Sequence, residues 1–171
     1  MLALSLLFMA LAGLAAQLRF HLPFTPVPFT GQVLVVLLAG FVLGRFGVVS
    51  MGLYLVMGSC LGWFSGAVGL AALSGVTAGY LFGFLVAAAL IGEMAQRRRE
   101  WSMARIVAVM ALGDAAILLL GSWWLSALLG IGMAEALLIG AVPFLAVDAL
   151  KIAVASSIAY GLTPRPARAQ G

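Results

Sequence analysis

The chain has 171 residues, of which 65% are apolar and only 8% charged, and its mean hydropathy is +1.22. Soluble domains carry about a quarter charged residues, so no water-soluble fold covers such a surface with polar groups. The formal charge of +4 does not mark a nucleic-acid binder, because the Lys and Arg residues are scattered through short gaps between apolar runs and form no single stripe.

The length accommodates six spans of about 20 residues each if the connections are short. That predicts one compact membrane domain over residues 1–162 and a short tail over 163–171, with no room for a soluble catalytic or ATP-binding module. Cys60, the only cysteine, excludes an intramolecular disulfide and a thiolate metal cluster, and inside its apolar run it reads as a small buried hydrophobe.

The first apolar run, Leu2 to Leu18, has nothing basic before it and is too long for a signal-peptide core, so it reads as helix one. Arg19 to Thr30 contains His21, Pro23, Pro26 and Pro28. Prolines this close together cannot continue a helix, which makes the segment an ordered, extended loop. Helix two is expected over Gln32 to Leu43, and a tight turn at Gly44–Gly47 leads into helix three, Val48 to Phe64. Ser65 to Gly75 is rich in Gly, Ala and Ser and carries no charge, which suits a loop packed on protein at the membrane face.

Helix four follows over Thr77 to Ala95, then the most polar stretch, Gln96 to Glu100, then helix five over Arg105 to Leu128. Gly130 to Val142 predicts a turn and a short interfacial helix with Glu135 as its only charge. Pro143 suits the first turn of helix six, where its missing N–H does no harm, and that helix runs to Gly161. The Pro/Ala/Arg-rich tail is expected to be disordered. The fold class is therefore an all-α integral membrane protein of six transmembrane helices. If both termini are cytoplasmic, that side receives Arg45, Arg97, Arg98, Arg99, Arg105, Arg165 and Arg168, and the outer side only Arg19. This asymmetry places both ends inside and the proline-rich loop outside.

Asp148 and Lys151 are the sharpest chemical signal, because they lie three residues apart on one face of an apolar helix. They sit roughly 8 to 12 Å below the outer helix end. Each charge there costs about 2.5 kcal/mol or more if it faces lipid. Such residues call for a protein-lined or wet cavity, and the alternative is a mutual salt bridge that only holds helices together. Asp114 is the other intramembrane charge, and nothing local decides between a cavity wall and a bond to a neighbouring helix. Gln32, just after Thr30-Gly31, both donates and accepts at the outer end of helix two, as a urea- or amide-like ligand requires, or it caps the helix.

Trp63, Phe64 and Tyr80 flank the outer Gly/Ala/Ser loop and offer apolar walls for a small molecule, although aromatic residues also anchor any membrane interface. His21 has no second ligand nearby in sequence, so no metal site is expected, and the serines lack a base, so no nucleophile constellation is found. In helix one, Ala12 and Ala16 have the small-xxx-small spacing that permits close helix contact, either with a partner or within the chain.

Three separated motifs in order, Pro26-Val27-Pro28-Phe29-Thr30-Gly31-Gln32, Gly79-Tyr80-Leu81-Phe82-Gly83-Phe84, and Glu135-Ala136-Leu137 leading to Pro143-Phe144 and Asp148-x-x-Lys151, resemble the BioY family. These are the biotin-specific S-components of energy-coupling factor transporters, and the likeness covers nearly the whole chain. The resemblance implies a six-helix S-component bundle in a bacterial or archaeal cell membrane, no enzyme activity, no cofactor and biotin held near the outer face. It implies biotin contacts at Asp148 and Lys151, closure by the first outer loop, and a contribution from the loop between helices three and four, Phe64 through Gly69, with no single residue fixed; together with the residues read above, the candidate ligand-binding set is Asp148, Lys151, Gln32, Thr30, Trp63, Phe64, Ser65, Gly66 and Tyr80. It also implies that small residues of helix one, Ala12 and Ala16, meet a transmembrane coupling subunit whose paired cytoplasmic ATPases drive reorientation; a homo-oligomer is the other assembly considered. On this reading biotin brings a carboxylate for Lys151 and ureido N–H groups for Asp148 or Gln32. The chain departs from the family pattern at Ala146-Val147, where Pro-Gly is usual, and at Val76, where Pro is usual. The competing functions are an S-component for a different vitamin and an intramembrane enzyme.

Overall fold

A computed structural model describes residues 1–64, 69–97 and 100–163. The tail expected to be disordered lies, but for Thr163, outside the described residues, as do Arg98, Arg99, Arg165 and Arg168.

Among the described residues seven α-helices follow one another: α1 (Leu2–Gln17), α2 (Gln32–Leu43), α3 (Phe46–Leu61), α4 (Ala78–Gln96), α5 (Met103–Leu129), α6 (Met133–Gly140) and α7 (Leu145–Leu162). The short α6 is the interfacial helix expected after Gly130. The other six are the expected crossings. α4 and α5, and the unit from Met133 to Leu162, are long and apolar enough to cross a membrane on their own, whereas α1, α2 and α3 are shorter apolar helices. The chain is a multi-pass membrane protein.

The proline-rich loop is tied down by a small antiparallel pair, β1 (Arg19–Phe20) with β2 (Phe29–Thr30), in which Arg19 faces Thr30. This pairing satisfies backbone groups that the prolines exclude from a helix. Boundary differences from the expected helices have local causes. Helix three begins two residues early, and it ends at Leu61 rather than Phe64 because Gly62 adopts a left-handed backbone (φ 67°) and closes the last turn onto the Gly58 carbonyl. α5 begins at Met103 because the Ser102 hydroxyl accepts from the Arg105 backbone N–H. Pro143 lies in a 3₁₀ turn, Val142–Phe144, immediately before α7, so the helix starts without Pro-Gly despite the departure at Ala146-Val147.

The core runs through the middle of the bundle, where Val36, Leu37, Met51, Tyr54, Ile91, Met110 and Ile117 are fully buried. α2 is central and packs on α1, α3, α4 and α7, and α4 packs along α5. The outer faces stay apolar, with Leu7, Leu14, Leu119 and Leu150 exposed as lipid contact requires. Cys60 is also exposed, on the lipid-side surface of α3, so the expectation of a buried small residue is corrected. Nothing local in the sequence distinguishes a lipid-facing from a core-facing position when every neighbour is apolar.

Candidate functional site

Successive helices run in opposite directions, so the end of α1, the start of α2, the end of α3, the start of α4, the second half of α5 and the start of α7 all come to one pole. A cavity opens there. Its polar lining comes from Arg19, Thr30, Gln32, Thr77, Asp148 and Lys151. Its apolar lining includes Trp63, Phe64, Tyr80, Phe84, Ile117 and Phe144. A mostly apolar hollow with a few convergent polar groups is the usual form of a small-molecule site.

At the bottom, Lys151 Nζ donates to Asp148 Oδ1 at 2.7 Å. Asp148 is 1% exposed, and its Oδ2 is buried without a partner in the chain. The mutual salt bridge given as the alternative reading is thus formed, and because both residues are on α7 it joins no two helices. A buried acceptor left unpaired costs free energy, and an N–H-bearing ligand removes that cost.

Gln32 Nε2 donates to the phenolic oxygen of Tyr54, a buried residue of α3 that does not reach the wall. This bond orients the amide at the start of α2, so Gln32 is held by α3 and is not a helix cap. Tyr54 also meets Phe64 edge-on, with ring centroids 5.2 Å apart, and stacks on Trp63 at 6.2 Å. The left-handed turn at Gly62 is what brings Trp63 and Phe64 back against Tyr54.

On α4, Tyr80 donates its hydroxyl to the Gly140 carbonyl at 2.7 Å, which ties α4 to α6. Its ring lies against Gly121 of α5, where a Cβ would stand 2.2 Å from ring carbons. Only a glycine leaves room for the ring in this position. Phe144 continues the wall, stacked on Phe29 of the first loop at 4.3 Å. That contact fastens the loop over the cavity.

The structure thus brings together Asp148, Lys151, Gln32, Thr30, Trp63, Phe64 and Tyr80 from the sequence reading, while Ser65 and Gly66 lie outside the described residues. Asp114 is 5% exposed and lies outside the cavity wall, one turn from Ile117 and Leu118, which do line it. Ala12 and Ala16, expected to offer a partner face, are buried within the chain at 0% and 4%, and Ala16 lines the cavity. The small residues of α1 let it approach α2 and α3 closely, so the intramolecular alternative is the arrangement adopted here. Among the described residues no cluster could hold a metal ion, and His21 is exposed in the loop.

Three residues escaped the sequence reading. Arg19 enters the sequence reading only through membrane orientation, yet it is one of the residues that line the cavity. Phe144 sat inside a quoted motif without a role. Tyr54 had one available signal, since a buried tyrosine in an apolar helix needs a hydrogen-bond partner.

Fold and cavity together define a multi-pass membrane protein with a mostly apolar cavity at one pole of its helix bundle. A sequence model of the BioY family matches residues 1–168, and the chain belongs to the BioY family. It is 36% identical over 144 residues to the biotin transporter BioY of Thermotoga maritima, covering 82% of this chain and 83% of that one. It is 34% identical over 161 residues to the probable biotin transporter BioY of Pyrococcus horikoshii, covering 91% of each. The fold matches the crystal structure of the S-component for biotin from an ECF-type ABC transporter, with a TM-score of 0.85 over 94% of this chain and 89% of that one at 24% identity. The chain is therefore a transport protein and not an enzyme.

Proposed function

We propose that this chain binds biotin in the cavity at the outer face and hands it inward together with a transmembrane coupling subunit and paired cytoplasmic ATPases. The observation that carries the reading is the unpartnered Asp148 Oδ2 at the bottom of an aromatic-walled hollow. Biotin presents ureido N–H donors, a ureido carbonyl, an apolar bicyclic body and an acyl chain ending in a carboxylate. The N–H groups suit Asp148 Oδ2, the carbonyl suits the Lys151 ammonium or the Gln32 amide, and the ring body suits Trp63, Phe64, Tyr80 and Phe144. The names of the relatives support the same ligand.

The distribution of basic residues supports an orientation with both termini in the cytoplasm, because Arg45, Arg97 and Arg105 lie at the pole opposite the cavity. No residue run in the chain resembles a nucleotide-binding loop, which supports energy coming from partner subunits. The test is direct binding. Purified protein is expected to retain biotin, and Asp148→Asn is expected to weaken retention at least tenfold, by roughly the worth of one hydrogen bond to a charged group. Retention unchanged in that variant overturns the site. Uptake of labelled biotin by cells making the chain alone, or with the coupling module, separates a self-sufficient homo-oligomer from the partnered form.

A further inference from the structure

The cavity holds two cations, and they are not equivalent. Lys151 is already engaged by Asp148 Oδ1 at 2.7 Å at the buried end. Arg19 stands where α1 gives way to the proline-rich loop, cross-strand from Thr30, and is one of the residues that line the same cavity. Among the described residues its side chain makes one hydrogen bond, to Gln17 Oε1 at 3.1 Å in an exposed setting, and no ion pair. Phe20, the next residue, is 70% exposed, so the strand turns Arg19 and its neighbour to different surroundings.

Charge balance then distinguishes the two. Of the charged residues in the wall, Asp148 and Lys151 pair with each other, and Arg19 is the one with no carboxylate partner there. A ligand with a single carboxylate neutralises it. A carboxylate placed on Lys151 would instead have to compete with Asp148 for the same ammonium, and two anions would share one cation in a poorly hydrated space. A guanidinium also offers a planar fork that matches a carboxylate with two parallel hydrogen bonds.

We infer that Arg19 is the carboxylate-binding residue, and that the ligand lies with its ureido ring at the Asp148–Lys151 end and its acyl carboxylate at the Arg19 mouth. This rests on the biotin reading above and revises one part of the sequence expectation, which gave the carboxylate to Lys151. Arg19 thereby also becomes a specificity determinant, since it distinguishes the free acid from neutral derivatives of the same ring system. Because Arg19 belongs to the loop that Phe29 fastens to Phe144, ligand binding and loop position are coupled through one short strand pair.

The experiment compares biotin with biotin methyl ester on purified wild type, Arg19→Gln and Arg19→Lys. Wild type is expected to prefer biotin over the ester by roughly tenfold to a hundredfold, the usual range for a hydrogen-bonded charge. In Arg19→Gln biotin should fall to the affinity of the ester, while the ester itself is held as by wild type, which also shows that the variant is folded. Should Arg19→Gln hold neither ligand, Arg19→Lys decides, with a preference for biotin that is present but reduced. A preference of full wild-type size in either variant overturns the inference while leaving biotin as the ligand. A wild-type protein that retains no biotin removes the reading on which the inference rests.

Discussion

The Lys151 ammonium lies 2.7 Å from Asp148 Oδ1, one turn along α7, and the second oxygen of that carboxylate is buried with no partner. One oxygen of the carboxylate is thus engaged inside the chain and the other is left for something else. A bundle that only needed to stand in lipid gains nothing from this arrangement, because buried ion pairs are weak contributors to stability.

Breaking the pair from one side should be worse than removing it altogether. Lys151→Met leaves the Asp148 carboxylate alone at a buried site, at a cost of about 3 to 5 kcal/mol. Asp148→Asn combined with Lys151→Met leaves no buried charge and is expected to melt above the Lys151→Met single variant. Thermal unfolding of wild type, both single variants and the double variant in detergent measures the coupling. A double variant that melts below both singles contradicts the account.

Tyr54 tests whether a residue behind the wall tunes the site. Tyr54→Phe removes the acceptor for the Gln32 amide and keeps the ring that Trp63 and Phe64 pack against. Biotin affinity should drop by about tenfold, in line with one hydrogen bond of roughly 1.5 kcal/mol, with little change in melting temperature. Isothermal binding beside a thermal scan separates the two effects.

For Tyr80 the expected pattern is the reverse. Tyr80→Phe deprives the Gly140 carbonyl of its donor but keeps the ring in the wall, so stability should fall by about 1 to 3 kcal/mol while biotin is still held. Gly121→Ala drives a Cβ into the space of that ring, which should destabilise by about 1 to 3 kcal/mol and also weaken biotin, because the wall itself must move. Equal biotin affinity in the two variants would show that the ring position does not matter.

Asp114 has a buried oxygen without a partner and stands outside the cavity wall. Asp114→Asn removes an ionisable group at nearly constant shape. Biotin affinity is expected to stay within about twofold and the melting temperature to hold or rise, since an unpaired buried charge is costly. A loss of binding beyond tenfold would place Asp114 in the functional machinery.

Orientation is open to a chemical test. In a Cys60→Ala background, Phe24→Cys in the proline-rich loop should react with a membrane-impermeant thiol reagent added to intact cells. Arg97→Cys after α4 should react only once the membrane is opened. The opposite labelling pattern would put the cavity on the cytoplasmic side and remove capture from outside.

Most of the fold was legible because the bilayer makes one rule dominant. A run of about 20 apolar residues has to be a helix when no water is present to satisfy its backbone. The same rule exposed Asp148 and Lys151, since charge inside such a run is expensive wherever it points. Prolines and glycines marked the ends, and α2 begins and ends where the pattern places it, at Gln32 and Leu43.

Periodicity failed in the other direction. With apolar residues on every side of a helix, it cannot say which face meets lipid and which meets protein. Cys60 therefore turned out exposed, and Ala12 and Ala16 turned inward. The partnership of Gln32 with Tyr54, of Tyr80 with Gly121 and Gly140, and of Arg19 with a cavity formed by residues more than a hundred positions away had to wait for the packed bundle. Solvent writes its demands into local composition, whereas a binding site is a meeting of distant side chains, and only packing decides which of them meet.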